Sequence, residues 1–409
     1  MGTTVQGVIF DHSTLLVTNH TLVSQIRSLL GDLKARGLRI GVFSTHPFDL
    51  TAKLQTRGFP SVDLFLTKND VGGVNKGNEA WIKTAAQRWG LKTYELVYVG
   101  DEKRDWTTAL NTGTFYFHAG WCNPFLPSGV TTAFYAGTPG SMYEFLSPIL
   151  LLPPRWTYTL DLPQDGFYVR CLVDANVNLP ATSRRSFTPK DIFTYQNDVR
   201  VGKYNARDWL VLHAFGSLYL EGFLDGKPGL AVYPSSTPGQ TNAVLTDYID
   251  PVSKTFRVHV REDLLVRAVA ARDTSRERSQ KNYHNVTFAE QTNTVHLNPK
   301  HRVFIRNRPS GTIIVFDDFT TSGMSLDWAR NLLQAAGAKR VILVTVGKYR
   351  LHHSVYRPQP HTTITPFERR TYDPQRDFTE TPHRMVHHPQ NQDLIIKSFQ
   401  HLVAGDPLP

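Results

Sequence analysis

Residues 313–325 read IIVFDDFTTSGMS, and this run restricts the fold more than any other stretch of the chain. Ile313-Ile314-Val315-Phe316 is an uninterrupted apolar segment of the kind that forms a buried strand. Two adjacent carboxylates, Asp317 and Asp318, follow at its end. Thr320-Thr321-Ser322-Gly323-Met324-Ser325 is a hydroxyl-rich turn around one glycine. From Leu326 to Leu333 the apolar residues recur at helical spacing. Strand, acidic pair, turn and helix in this order describe a site for a sugar phosphate. Backbone N–H groups and hydroxyls at a helix N-terminus hold phosphate oxygens. Carboxylates beside them accept hydrogen bonds from vicinal ribose hydroxyls.

The run resembles the phosphoribosyl-diphosphate (PRPP) loop of type I phosphoribosyltransferases, a hydrophobic strand followed by two acidic residues and a T/S-T/S-G turn. Every defined slot is filled. The resemblance implies a doubly wound parallel-sheet domain that transfers the phosphoribosyl group of PRPP to a base, with Mg²⁺ bridging ribose and diphosphate oxygens. It implies that Asp317 and Asp318 hold the ribose hydroxyls while Thr320, Thr321, Ser322, Gly323, Met324 and Ser325 wrap the 5′-phosphate. Leu230–Pro234 reads as a strand, and the Ser235-Ser236-Thr237-Pro238-Gly239 turn after it is the candidate diphosphate loop, with Ser235 and Ser236 as contacts. The basic run 272–282 is the candidate for a loop closing over the diphosphate, with Arg267, Arg276 and Lys281 supplying positive charge. An ordinary strand-to-helix turn and a solvated charged face remain the alternatives for these two segments.

The first 120 residues carry a second pattern. Val8-Ile9-Phe10 ends in Asp11, Ile40–Phe43 ends in Ser44, and Leu96–Val99 ends in Gly100-Asp101, with Asp105 four residues later. Helical periodicity covers Leu22–Arg36 and Ala80–Trp89, and Lys76 precedes the second helix. Alternating strands and helices imply a parallel sheet with its site at the carboxyl ends of the strands. An Asp, a hydroxyl, a Lys and an acidic pair form a phosphoryl-transfer set. The carboxylate attacks phosphorus, hydroxyl and ammonium hold its oxygens, and the acidic pair binds Mg²⁺. The set resembles the haloacid dehalogenase-like (HAD) phosphatases. Carried over by motif, Asp11 is nucleophile and metal ligand, Ser44 and Lys76 contact the phosphoryl group, and Asp101 and Asp105 complete the metal site. The family's DxDxT pattern has Ser13 at its second acidic position, and a hydroxyl does not shuttle protons as a carboxylate does. The gaps from Asp11 to Ser44 and from Ser44 to Lys76 are too short for an inserted cap domain.

These readings predict two domains: residues 1–150, HAD-like and capless, and residues 151–409, of the phosphoribosyltransferase type. The boundary falls in the Pro-, Gly-, Ser- and Thr-rich segment 124–154. Segment 352–392, rich in His, Pro and Arg, is expected to form an irregular lid or hood. With 40% hydrophobic and 20% charged residues, the 409-residue chain has the make-up of a soluble enzyme. No apolar run is long enough to span a membrane, no secretory signal opens the sequence, and two cysteines exclude a disulfide framework; a cytoplasmic setting follows. The net charge of +10 suits a polyanionic small substrate, and no nucleic-acid-binding motif accompanies it. A homodimer is compatible with folds of this type. The competing reading is a PRPP- or nucleotide-binding regulatory protein whose HAD domain has degenerated.

Overall fold

The structure, a computed structural model, describes residues 3–47, 49–130, 134–181, 185–194, 199–240, 245–246, 249, 253, 256, 258–270 and 287–404. The expected strands and helices appear, organised into two large sheets. In the first, β1 (Gly7–Asp11), β2 (Arg39–Ser44), β3 (Leu64–Thr67), β4 (Leu96–Gly100), β5 (Phe115–Ala119) and β6 (Tyr135–Ala136) lie in the order β3-β2-β1-β4-β5-β6. All neighbours are parallel. Every residue of β1 is buried. Alternate side chains feed opposite cores, Val8 and Phe10 one and Ile9 the other, because successive side chains of a strand point to opposite faces. The crossovers are short helices, His20–Ala35 after β1 and Thr51–Thr56 after β2, and neither gap holds a cap.

The second sheet runs His259–Arg261, Gly229–Val232, Thr312–Thr320, Arg340–Lys348, Phe167–Asp174, Tyr158–Leu162, Val386–His387. The first five strands are parallel. The last two join antiparallel, so this sheet is mixed and not wholly parallel as the sequence suggests. Chain length explains the departure. Leu162 and Phe167 are separated by one 3₁₀ turn, Pro163–Asp165, and Gly166, which is too little for a parallel crossover.

Two further expectations are corrected. Segment 352–392 is irregular only in part: His352–Pro358 pairs in unbroken antiparallel register with Phe378–Arg384, while residues 359–373 between them form neither helix nor strand. The inward face of this pair packs Tyr356 and Phe378 into the same core as Trp328 of the helix Met324–Ala335, and the largely exposed polar side chains of Phe378–Arg384 gave the sequence its loop-like look. The region 124–154 is also more than a linker. Thr138 caps a helix, Pro139–Ile149, through Ser141 N–H, and Met142, Leu146 and Ile149 of that helix are buried.

That helix and Ala206–Leu220 lie in a single hydrophobic core shared by both sheets. Thirteen residues of Ala206–Leu220 are buried, as expected of a helix that is apolar on nearly all sides. The Tyr219 hydroxyl donates to Leu96 O (2.6 Å) and accepts from Phe115 N–H (3.1 Å), which ties the second half of the chain to β4 and β5. Among the described residues, no helix is long and apolar enough to cross a membrane.

Two candidate active sites at strand ends

In the first sheet the carboxyl ends of β1, β2 and β4 gather Asp11, Ser44, Asp101 and Asp105, all buried. Asp11 caps the turn His12–Leu15, accepting from Ser13 N–H at 2.9 Å. Lys76, buried, contacts Asp11 Oδ2 and lies 3.4 Å from Asp105 Oδ1. Burial holds its ammonium below its ordinary range, opposed by the Asp105 charge. Gly100 is required by close approach, since a Cβ there would stand 2.4 Å from the Asp105 Cβ. Asp105 is heavily engaged. It accepts from Tyr98 OH at 2.7 Å and from Glu102 N–H at 3.1 Å, so it braces the other two carboxylates and the head of the helix Lys103–Thr112. Ser44, at the end of β2, accepts from His46 N–H at 3.1 Å.

The donor set suits a hard divalent cation. Ligand atoms of Asp11, Asp101 and Asp105 all lie within 4.8 Å of one another. The Ser13 hydroxyl is placed against both Asp11 Oδ1, at 2.5 Å, and Asp101 Oδ1, and its single proton serves only one of them. The remaining carboxylate charge calls for a cation, and an all-oxygen cluster is the chemistry that Mg²⁺ prefers. Sequence reasoning missed Cys122, whose thiol contacts Asp101 Oδ2 (3.4 Å) and whose pKa burial pushes up to about 12. It also missed Asn123, which donates to Asp101 O at 3.2 Å. Both follow β5 without any local motif, so no signal in the sequence pointed to them. His12 stands 3.3 Å from Asp11 Oδ1, with its imidazole held below its ordinary range by burial.

In the second sheet, Asp317 and Asp318 lie inside the last stretch of pairing of the strand Thr312–Thr320, which runs two residues beyond them. Each carboxylate accepts from the next backbone N–H, Asp317 from Asp318 at 2.9 Å and Asp318 from Phe319 at 2.7 Å. Burial, followed by the charge of Asp318, raises the Asp317 pKa well above the carboxylate range; burial raises that of Asp318 as well.

The turn that follows is held from behind. Thr320 O accepts from Tyr349 N–H (3.1 Å), Thr321 O from Lys348 Nζ (2.8 Å) and Ser322 O from Ser354 N–H (2.7 Å). In a trans peptide the C=O and the next N–H point in opposite directions, and no cis bond is present among the described residues. The N–H groups of Thr321, Ser322 and Gly323 therefore point away from these anchors. The first N–H groups of the helix Met324–Ala335 continue the row. None of the N–H groups from Thr321 to Ser325 donates to another described residue. Gly323 has φ +86°, and a Cβ there would sit 2.1 Å from the His353 ring, so only glycine closes this turn.

The diphosphate-loop candidate occupies 233–240, after the strand Gly229–Val232. Ser235 spends its hydroxyl within the loop, accepting from Thr237 N–H at 3.2 Å. Ser236 is half-buried beside it. Arg267, expected to face a departing diphosphate, is instead buried beneath the loop: Nε donates to Ser235 O and Nη1 to Thr294 Oγ1, each at 2.7 Å. It braces the loop because the antiparallel pair Leu265–Arg267 and Val295–Leu297 turns its side chain inward. Arg276 and Lys281 lie outside the described residues. Tyr233 was not singled out in the sequence; its hydroxyl donates to Gln291 Oε1 at 2.8 Å.

Comparison with known proteins bears on the first site. Residues 8–119 match the family model of the haloacid dehalogenase-like hydrolases. Among solved structures the chain is similar to an uncharacterized protein from Corynebacterium glutamicum, with 27% identity over 28% of this chain and 84% of that one and a TM-score of 0.25. It is also similar to the cobalt-bound deoxy-D-mannose-octulosonate 8-phosphate phosphatase of Haemophilus influenzae, with 15% identity over 35% and 87% of the two chains and a TM-score of 0.25. No curated protein matches the chain. The family match falls on the sheet that gathers Asp11, Lys76, Asp101 and Asp105: residues 8–119 form a haloacid dehalogenase-like hydrolase domain.

Proposed function

We propose that the protein transfers the phosphoribosyl group of PRPP to a nitrogenous base, and that the HAD-like domain removes a phosphate from the resulting nucleotide or a close relative. One observation carries the first part. The N–H groups of the turn 321–325 are turned outward beside the Asp317–Asp318 pair. An anion on those N–H groups and a diol on the two carboxylates is the recognition that ribose 5-phosphate requires. In the reaction the bond from the ribose anomeric carbon to a diphosphate oxygen breaks. A ring nitrogen of the base bonds to that carbon and gives up its proton. Charge develops on the sugar, so the protein's task is to position the reactants and stabilise charge. Mg²⁺, when bound, neutralises the diphosphate. In the first domain Asp11 is the nucleophile toward phosphorus, Lys76 neutralises the phosphoryl oxygens, and Asp11 and Asp101 hold Mg²⁺ with Asp105 behind them.

The test is incubation with PRPP, Mg²⁺ and a panel of bases, with diphosphate release as the readout. Release is expected with at least one base and is lost in the Asp317→Asn, Asp318→Asn double variant, whose circular dichroism stays that of the wild type. Release that persists in that variant would refute the assignment. A second reading is favoured by Ser13, which faces Asp11 and Asp101 where a carboxylate would act as acid and base. In that reading the HAD-like domain binds a phosphorylated ligand without turnover and regulates its partner site.

A further inference from the structure

Lys348 closes the strand Arg340–Lys348 directly behind the turn 320–323, and its side chain is fully buried. Its ammonium donates to Thr321 O at 2.8 Å and to His352 O at 2.9 Å. Both acceptors are neutral carbonyls. Among the described residues no carboxylate forms an ion pair with Lys348, although charged side chains are almost never buried unpaired. Removing an ammonium from water is unfavourable when nothing of opposite charge meets it. Two carbonyls recover part of that, and the remainder calls for an anion.

The position of the lysine says where that anion sits. By drawing Thr321 O toward itself, Lys348 sends the N–H of Ser322 the other way, into the cradle. The same lysine holds His352 O, next to the His353 ring that lies under Gly323. Its charge thus lies one peptide unit behind the row of N–H groups. Substrate phosphate and buried ammonium would face each other across that peptide, whose dipole is aligned with both. We propose that Lys348 is the built-in counter-charge of the cradle, specifying a dianionic phosphate monoester there, and that it positions the Thr321–Ser322 peptide to receive it. This rests on the sugar-phosphate reading of the turn and adds to it a residue that never touches the ligand.

The experiment is calorimetric titration of the full-length protein with ribose 5-phosphate and, separately, with PRPP and Mg²⁺, combined with thermal denaturation of the ligand-free protein. Lys348→Met keeps the buried volume and removes the charge. Lys348→Gln keeps hydrogen-bond donors and removes only the charge. Each is expected to weaken ribose 5-phosphate binding by about tenfold or more, the scale of one charge-assisted contact. The ligand-free melting temperature of Lys348→Met is set by two opposed effects, removal of a buried charge without an ion-pair partner and loss of the donors to Thr321 O and His352 O, so the affinity of Lys348→Gln carries the decision. A purely structural lysine predicts affinity preserved in both variants in whatever remains folded. Wild-type binding matched by Lys348→Gln overturns the counter-charge role alone and leaves the sugar-phosphate reading intact. Failure of the wild type to bind either ligand overturns both. Should Lys348→Met not fold, Lys348→Gln by itself decides the matter.

Discussion

Ser13 carries more consequence than any other single side chain in the first site. Its hydroxyl stands between two carboxylates that would repel each other at this distance if both were ionised and nothing lay between them. Replacing it by a third carboxylate sharpens that repulsion. Ser13→Asp is therefore expected to lower the melting temperature of the metal-free protein and to enlarge the stabilisation that Mg²⁺ produces, since a cation that binds only the native state adds stability in proportion to its affinity. Scans with and without Mg²⁺ read both effects. Equal Mg²⁺ stabilisation in the two proteins would contradict a metal held at Asp11 and Asp101. At this scale the sequence was informative where chemistry coincides with a strand end: Asp11, Ser44 and Asp101 could be named because an apolar run stops just before each. Cys122, Asn123 and Tyr98 could not, because they reach the carboxylates through tertiary contacts that leave no local pattern.

Among the elements, the hairpin His352–Pro358 and Phe378–Arg384 was the least legible. Histidine and proline content suggested irregularity, yet its register sets His353 opposite His383 and drives the His353 ring under Gly323. The imidazole of His353 is fully buried, neither ring nitrogen has a hydrogen-bond partner among the described residues, and burial holds its pKa well below 6.5. The unfolded chain takes up a proton near pH 6.5 that the folded chain refuses. Stability linked to this group is thus complete above pH 6.5 and is lost as pH falls toward the depressed folded value, at up to about 1.4 kcal/mol per pH unit. Other shifted groups, Asp317 among them, are common to the wild type and to a variant that lacks the ring. The histidine contribution is therefore read as the difference between wild type and His353→Leu in urea unfolding at pH 7 and pH 5.5. The wild type should lose more stability than the variant over that interval; parallel behaviour would show that the ring titrates normally.

For the molecule as a whole, alternation of strands and helices in the sequence foretold two sheets but not that they share a core. Helix Ala206–Leu220 looks apolar on nearly every side, which reports burial without naming the surfaces that bury it. The Tyr219 hydroxyl is the polar fastening between the halves. Tyr219→Phe leaves Leu96 O and Phe115 N–H without that partner inside the core and is expected to cost about 1–3 kcal/mol. Because the core is continuous, that loss should appear in one cooperative calorimetric transition. Two separated transitions in the wild type would contradict a common core.

The same helix has an evolutionary corollary. In many multidomain enzymes each catalytic unit can be cut out and joined to a new neighbour by recombination. Here a gene fragment ending near residue 150 would encode a sheet stripped of one wall, with Phe115 and Leu146 losing the neighbours that keep them from water. A descendant of this chain that keeps one sheet is thereby expected to keep the other, and the two halves travel as one heritable block.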